Sequence, residues 1–79
     1  MFAYAGHPSW AFMIINRAPS SGTFRVQLVT THLRTIDAGN CDIVARQGIW
    51  GWRLHLPVDE IARIQLMHAG VPIMSAAFA

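Results

Sequence analysis

Three short segments of the sequence share one pattern: an arginine, an aliphatic residue, a glutamine or histidine, and a leucine. They are RVQL at 25–28, RLHL at 53–56 and RIQL at 63–66. In an extended strand, the arginine and the third residue point to one side and the two aliphatic residues to the other. The polar side chains then share a face, and they are Arg25, Gln27, Arg53, His55, Arg63 and Gln65.

This polar set has the chemistry of a binding surface. Arginine and glutamine can bind phosphates and base edges, and a histidine can stack on an unpaired base. The spacing of the segments suits three strands of one sheet, which would align the side chains as a stripe for RNA or another acidic partner. The alternative, which we favour, is that an antiparallel sheet with one face in water carries polar residues there in any case.

Trp50 and Trp52 form a second candidate site, because they lie two residues apart and project from the same side of a strand. That side continues through Leu54 and Leu56, which favours two core residues that bring a large buried area to a small domain. The alternative is that the two indoles point outward as a hot spot for a protein partner or a base.

Groups suited to catalysis or metal binding are sparse. Cys41 is the only cysteine, and the adjacent carboxylate of Asp42 disfavours the thiolate that a nucleophile requires. No histidine pair has the spacing of metal ligands; the four are His7, His32, His55 and His68. We therefore expect no enzymatic activity, no metal and no cofactor.

The composition points towards a partner. Hydrophobic residues make up 53% of the chain and charged residues 13%, whereas about 25% charged is usual. So few charges leave apolar surface for a second copy or another protein to cover. The net charge of +2 permits nucleic-acid binding without requiring it. A lone cysteine suits the cytoplasm, and no apolar stretch is long enough for a membrane helix.

The alternation of apolar and polar residues predicts strands at 10–17, 23–36, 41–47 and 48–57, the second bent near Thr31. Clusters of turn-forming residues predict loops at 18–22 and 37–40.

The segment 58–69 is ambiguous. Pro57 with Asp59 and Glu60 is typical of a helix start, whereas Ile64 and Leu66 alternate with polar residues as in a strand. We favour a strand preceded by a 3₁₀ turn at 57–61, with a short helix as the alternative. The segment 70–78 then closes the sheet.

The order of FRVQLVTT, CDIVARQ and WGWRLHLPVDEIARIQL resembles in layout the small SH3-like and Sm-like barrels, in which a short turn joins a late strand to the last one. The resemblance covers residues 24–67 and implies a small barrel. The predicted fold class is all-β, or β-rich α+β: one small domain over residues 1–79, built as an SH3-like or Sm-like barrel or an antiparallel sheet of about five strands.

We interpret the chain as a small non-catalytic regulatory or adaptor module, of a kind found among phage and bacterial accessory proteins, that binds a protein partner or itself. The alternative is an RNA-binding β-barrel that uses the Arg and Gln face. A second alternative is a structural subunit that self-assembles through its apolar termini, MFAYAGHPSWAF and GVPIMSAAFA.

Overall fold

The computed structural model of the chain describes residues 1–6 and 10–78, so His7 and its neighbours Pro8 and Ser9 lie outside it, as does Ala79. No helix within these residues is long and apolar enough to cross a membrane.

The described chain is almost entirely β-structure, which confirms the predicted class, with seven strands rather than about five. The strands are β1 (Phe2–Gly6), β2 (Trp10–Ile15), β3 (Gly22–Thr30), β4 (Thr35–Ile43), β5 (Gly48–Arg53), β6 (Ile61–His68) and β7 (Val71–Ala77). A single 3₁₀ turn, Val58–Glu60, precedes β6. The preference for a strand over a helix in 58–69 is confirmed.

A four-stranded antiparallel sheet has the order β4-β3-β6-β7. Its inner face follows the alternation in the sequence: Phe24, Val26 and Leu28 of β3 are all buried, and Ile64 and Leu66 of β6 are fully buried. Because each such side chain contributes about 1.5 to 3 kcal/mol when removed from water, this alternation fixes which face of the sheet meets the core.

A three-stranded antiparallel sheet, β1-β2-β5, covers the other side of the core. Its inner face is built from small residues and a few large ones, Ala3, Ala11, Met13, Ile15 and Trp50, all of them buried. Since β5 pairs with β2, RLHL does not lie in the same sheet as RVQL and RIQL. The prediction that the three arginine segments occupy one sheet is wrong.

The reason lies where β4 and β5 separate. Ala45 and Arg46 form a two-residue turn with positive φ, closed by the bridge between Val44 and Gln47. Beyond it, β4 pairs with β3 while β5 pairs with β2. The hairpin therefore splays open, and its two strands belong to different sheets.

The loop predicted at 37–40 is also wrong, because β4 runs straight through it. Gly39 has φ +82° and lies at a bulge in β4. At this bulge the pairing of β3 with β4 shifts between Arg25 and Gln27. The actual turn follows Thr30, whose buried hydroxyl accepts a hydrogen bond of 3.1 Å from the backbone N–H of Arg34. The strand predicted to bend near Thr31 ends there instead.

The two sheets meet at two seams. At one, Ala3 of β1 forms a parallel bridge with Phe78, the residue that follows β7. At the other, β4 and β5 are joined near their turn, where the Cys41 thiol lies 3.8 Å from the carbonyl oxygen of Ile49. Both sheets thus present outer faces to solvent, and these faces differ in chemistry.

Candidate interaction surface

The outer face of the three-stranded sheet is apolar and largely aromatic. The strand registers place Phe2, Ile14 and Ile49 in one row and Tyr4, Phe12 and Gly51 in the next. A third row holds Gly6, Trp10 and Arg53. We call the large apolar members of these rows the aromatic face: Phe2, Tyr4, Trp10, Phe12, Ile14 and Ile49.

Most of the aromatic face is open to water. Phe2 is 54% exposed, Tyr4 42%, Trp10 43%, Ile14 36% and Ile49 69%. With about 150 to 250 Å² of surface per aromatic residue, and less for isoleucine, the exposed apolar area is about 300 to 450 Å². That is the size of the largest apolar patch on a typical monomer, which is often functional.

A glycine allows the ring of Trp10 to lie close to the sheet. A Cβ atom at Gly6 would come within 2.8 Å of three atoms of the Trp10 indole, and one at Gly51 would lie 3.7 Å from the ring of Phe12. Each glycine is the cross-strand partner of the aromatic residue that covers it. The Trp10 indole therefore lies directly over the backbone of Gly6, whereas the Gly51 site would leave room for a Cβ beside Phe12.

The outer face of the four-stranded sheet is polar. Here the structure brings together Arg25, Gln27, Arg63 and Gln65, on the neighbouring strands β3 and β6. Arg25 forms an ion pair of 3.0 Å with Asp37 of β4.

The two glutamines of this polar face hydrogen bond to each other, because the Nε2 of Gln65 donates to the Oε1 of Gln27 at 3.3 Å. Gln65 is only 8% exposed, so the expectation of an outward, solvated side chain holds poorly for it. Arg25, Gln27 and Gln65 therefore each have a polar partner within the sheet.

The remaining predicted residues lie at the β4–β5 seam. Arg53 and His55 are both exposed. Trp50 is 6% exposed, and its indole Nε1 donates a hydrogen bond of 2.9 Å to the carbonyl oxygen of Ala38. Trp52 is 37% exposed and meets Trp50 edge to face, with ring centroids 5.9 Å apart. The expectation of two core indoles therefore holds fully for Trp50 and only in part for Trp52.

A small pocket of about 60 Å³ opens at this seam, where β4 and β5 have diverged. Its walls come from the start of β4 and from the chain that leaves β5, and they are mainly apolar. The lining residues include Ile36, Ala38, Trp52, Leu54 and Leu56, together with Arg53, His55 and Asp37.

The described residues offer little nucleophilic chemistry. Burial raises the pKa of the Cys41 thiol, and the nearby carboxylate of Asp42 raises it further. The thiol is therefore neutral at physiological pH. Within residues 1–6 and 10–78, no three of the His, Cys, Asp and Glu side chains come together as a metal site would require.

The aromatic face was not identified as a site from the sequence, although β1 and the start of β2 lie in the apolar N-terminal segment singled out for self-assembly. The signal that could have revealed it is the alternation of aromatics with alanines, Phe2-Ala3-Tyr4-Ala5, followed by Trp10-Ala11-Phe12. The sequence matches no known protein family model, and no curated protein or solved structure matches the chain significantly.

Proposed function

We propose that this protein is a small non-catalytic interaction module that self-associates by packing its aromatic face against the same face of a second copy. The observation that carries the proposal is the exposure of five large apolar side chains on one face of one sheet. Water contact with such a surface is unfavourable, and burial against a like surface removes the cost from both copies at once.

The size of the face suits a compact dimer. Two copies would bury about 600 to 900 Å² of apolar surface from these side chains. A homodimer interface at the lower end of the usual range buries about 1,200 Å² in total, of which about 65% is apolar. The aromatic face alone thus comes near the apolar area that such an interface needs.

The regulatory or adaptor role and the cytoplasmic location remain part of this proposal. A buried, neutral Cys41 as the only thiol is compatible with a reducing compartment. A protein partner with its own flat apolar surface would use the same face, and a structural subunit would use it to build larger assemblies. The oligomer number distinguishes these uses.

RNA binding is the second candidate, and one feature favours it on the aromatic face more than on the Arg and Gln face. Arg53 is the cross-strand neighbour of Trp10, so a basic group lies beside exposed rings. Unpaired bases stack on such rings while an arginine contacts phosphate. Arg25, by contrast, is already paired with Asp37.

The test is the molar mass of the full chain by light scattering after size exclusion, at low and high salt, with absorbance read at 260 and 280 nm. We expect a nucleic-acid-free dimer that is indifferent to salt, because apolar association does not depend on counterion release. A monomer carrying 260 nm material that dissociates at high salt would refute self-association and favour RNA.

Two matched variants locate the interface. Ile49→Asp places a charge on the aromatic face, and for two copies we expect a cost of about 2 to 6 kcal/mol, or at least about 25-fold weaker dimerisation. Leu33→Asp is the control, since Leu33 is 82% exposed in the β3–β4 turn and should leave the dimer intact. Equal effects of the two substitutions would contradict the assignment.

For the RNA alternative, the diagnostic variant replaces Arg25, Arg53 and Arg63 together with alanine. It should abolish a nucleic-acid complex and leave self-association unchanged. Loss of the dimer in this variant, with the 260 nm signal unaffected, would exclude RNA binding through these arginines.

A further inference from the structure

We infer that the β4–β5 seam is a second binding site, distinct from the aromatic face, which takes an extended peptide segment carrying an apolar anchor residue beside a carboxylate. The anchor would enter the seam pocket, and the peptide backbone would pair with the free edge of β4. Three features of the seam support this inference.

The first is an open strand edge. Among the described residues, β4 forms a ladder only with β3. The carbonyl oxygen of Ala38 already accepts the hydrogen bond from Trp50, so the free backbone groups lie nearer the start of β4. The Thr30 N–H donates to the carbonyl oxygen of Arg34 at 2.8 Å, so by alternation Leu28 and Ile36 bond to each other. Thr35 and Asp37 therefore direct their N–H and C=O groups to the open edge. An added strand can satisfy these groups, which is how many domains bind extended peptides.

The second is a pocket of suitable size beside that edge. A volume of about 60 Å³ exceeds the roughly 10 to 15 Å³ that one water needs on a comparable measure, and it suits the end of a branched aliphatic side chain. Its apolar walls include Trp52, Leu54 and Leu56. An anchor residue in an apolar pocket with a polar rim is the arrangement found at interface hot spots.

The third is charge. Arg53 and His55 line the pocket and are exposed, whereas the one acidic lining residue, Asp37, is already paired with Arg25 at 3.0 Å. The rim therefore favours a negatively charged group next to the anchor. A peptide with glutamate beside leucine fits this pattern, and one with lysine in the same position does not.

The experiment uses the full-length chain and two blocked hexapeptides, acetyl-TVELTV-amide and acetyl-TVKLTV-amide. Binding is followed by NMR through the Trp52 indole N–H and the backbone amides of Thr35 and Asp37. We expect the glutamate peptide to shift these signals and to bind about two- to fivefold more tightly than the lysine peptide at low salt.

The variant Arg53→Glu should remove or reverse that preference, and Arg63→Glu on the polar face is the control that should preserve it. The inference is overturned if neither peptide shifts the seam signals, if the shifts map to the aromatic face, or if Arg53→Glu leaves the preference unchanged. The dimer mass of each variant is measured separately, so failure of this site and failure of self-association are distinguishable.

Discussion

Replacing Trp50 with phenylalanine tests how the seam between the two sheets is held. The indole of Trp50 is buried and donates a hydrogen bond of 2.9 Å to the carbonyl oxygen of Ala38, a group on the open edge of β4. Phenylalanine keeps an aromatic ring but removes the donor. A buried acceptor left without its partner costs about 1 to 3 kcal/mol, and the smaller ring loses about 1 kcal/mol of burial.

The expected loss is therefore about 2 to 4 kcal/mol. For a chain of 79 residues, the total free energy of unfolding is about 4 to 12 kcal/mol, so the substitution removes a large fraction of it. A change of 1 kcal/mol moves the Tm of a domain this size by about 4 to 8 °C. We expect the Tm to fall by at least about 8 °C.

The assay is urea and thermal unfolding followed by circular dichroism, at one fixed protein concentration because self-association makes stability depend on concentration. Trp52→Phe is the matched control: Trp52 is 37% exposed, and its replacement should cost less than about 1 kcal/mol. A loss below about 0.5 kcal/mol for Trp50→Phe, or equal losses for both variants, would refute the role assigned to the indole hydrogen bond.

Two further predictions concern Cys41 and the β6–β7 turn. The raised pKa of the buried thiol keeps it protonated in the folded state, so folded protein should resist alkylation at pH 8 and react once unfolded. Rapid labelling of the folded chain would contradict this. For the same reason the free energy of unfolding should fall as pH rises above 9.0, the ordinary pKa of the thiol, because the thiol ionises at a lower pH in the unfolded chain than in the folded one. Ala69 and Gly70 both have positive φ, as in the two-residue hairpin turns for which Asn-Gly is the preferred sequence. Ala69→Asn should therefore stabilise by about 0.5 to 1 kcal/mol in urea unfolding, whereas Ala62→Asn within β6 should not.

The inner face of the four-stranded sheet could be predicted because it rests on local alternation. Phe24, Val26 and Leu28 differ from their polar neighbours strongly enough that only one side of β3 can face the core. The same logic identified Ile64 and Leu66 and so decided strand against helix in β6. Such patterns depend only on residues that are adjacent in the chain.

Strand partners could not be predicted in the same way, because they depend on contacts far apart in the sequence. RLHL has the pattern of its two counterparts, yet β5 pairs with β2 in the other sheet. Gly39 illustrates a second limit: a glycine next to Asn40 fits a turn or a bulge equally well, and only the pairing of β4 with β3 shows that it is a bulge.

The aromatic face was hard to predict because it reverses the usual placement of residues by size. In β1 and β2, alanines at positions 3 and 11 face the core while Phe2, Tyr4 and Trp10 face outward. Sequence reasoning places large apolar residues inside and treats alanine as neutral. Only the register of β1 against β2 and β5 shows that the rings share the exposed side.

The divergence of β4 and β5 into different sheets has a consequence for the folding rate. β1–β2, β3–β4 and β6–β7 are each consecutive pairs, so three hairpins can form early from nearby residues. The pairings that join them, such as Trp10 with Arg53 and Arg25 with Met67, require long loops to close first. Proteins dominated by such contacts fold in milliseconds to seconds. The chain is therefore expected to fold in milliseconds to seconds, because these long-range pairings must close before either sheet is complete.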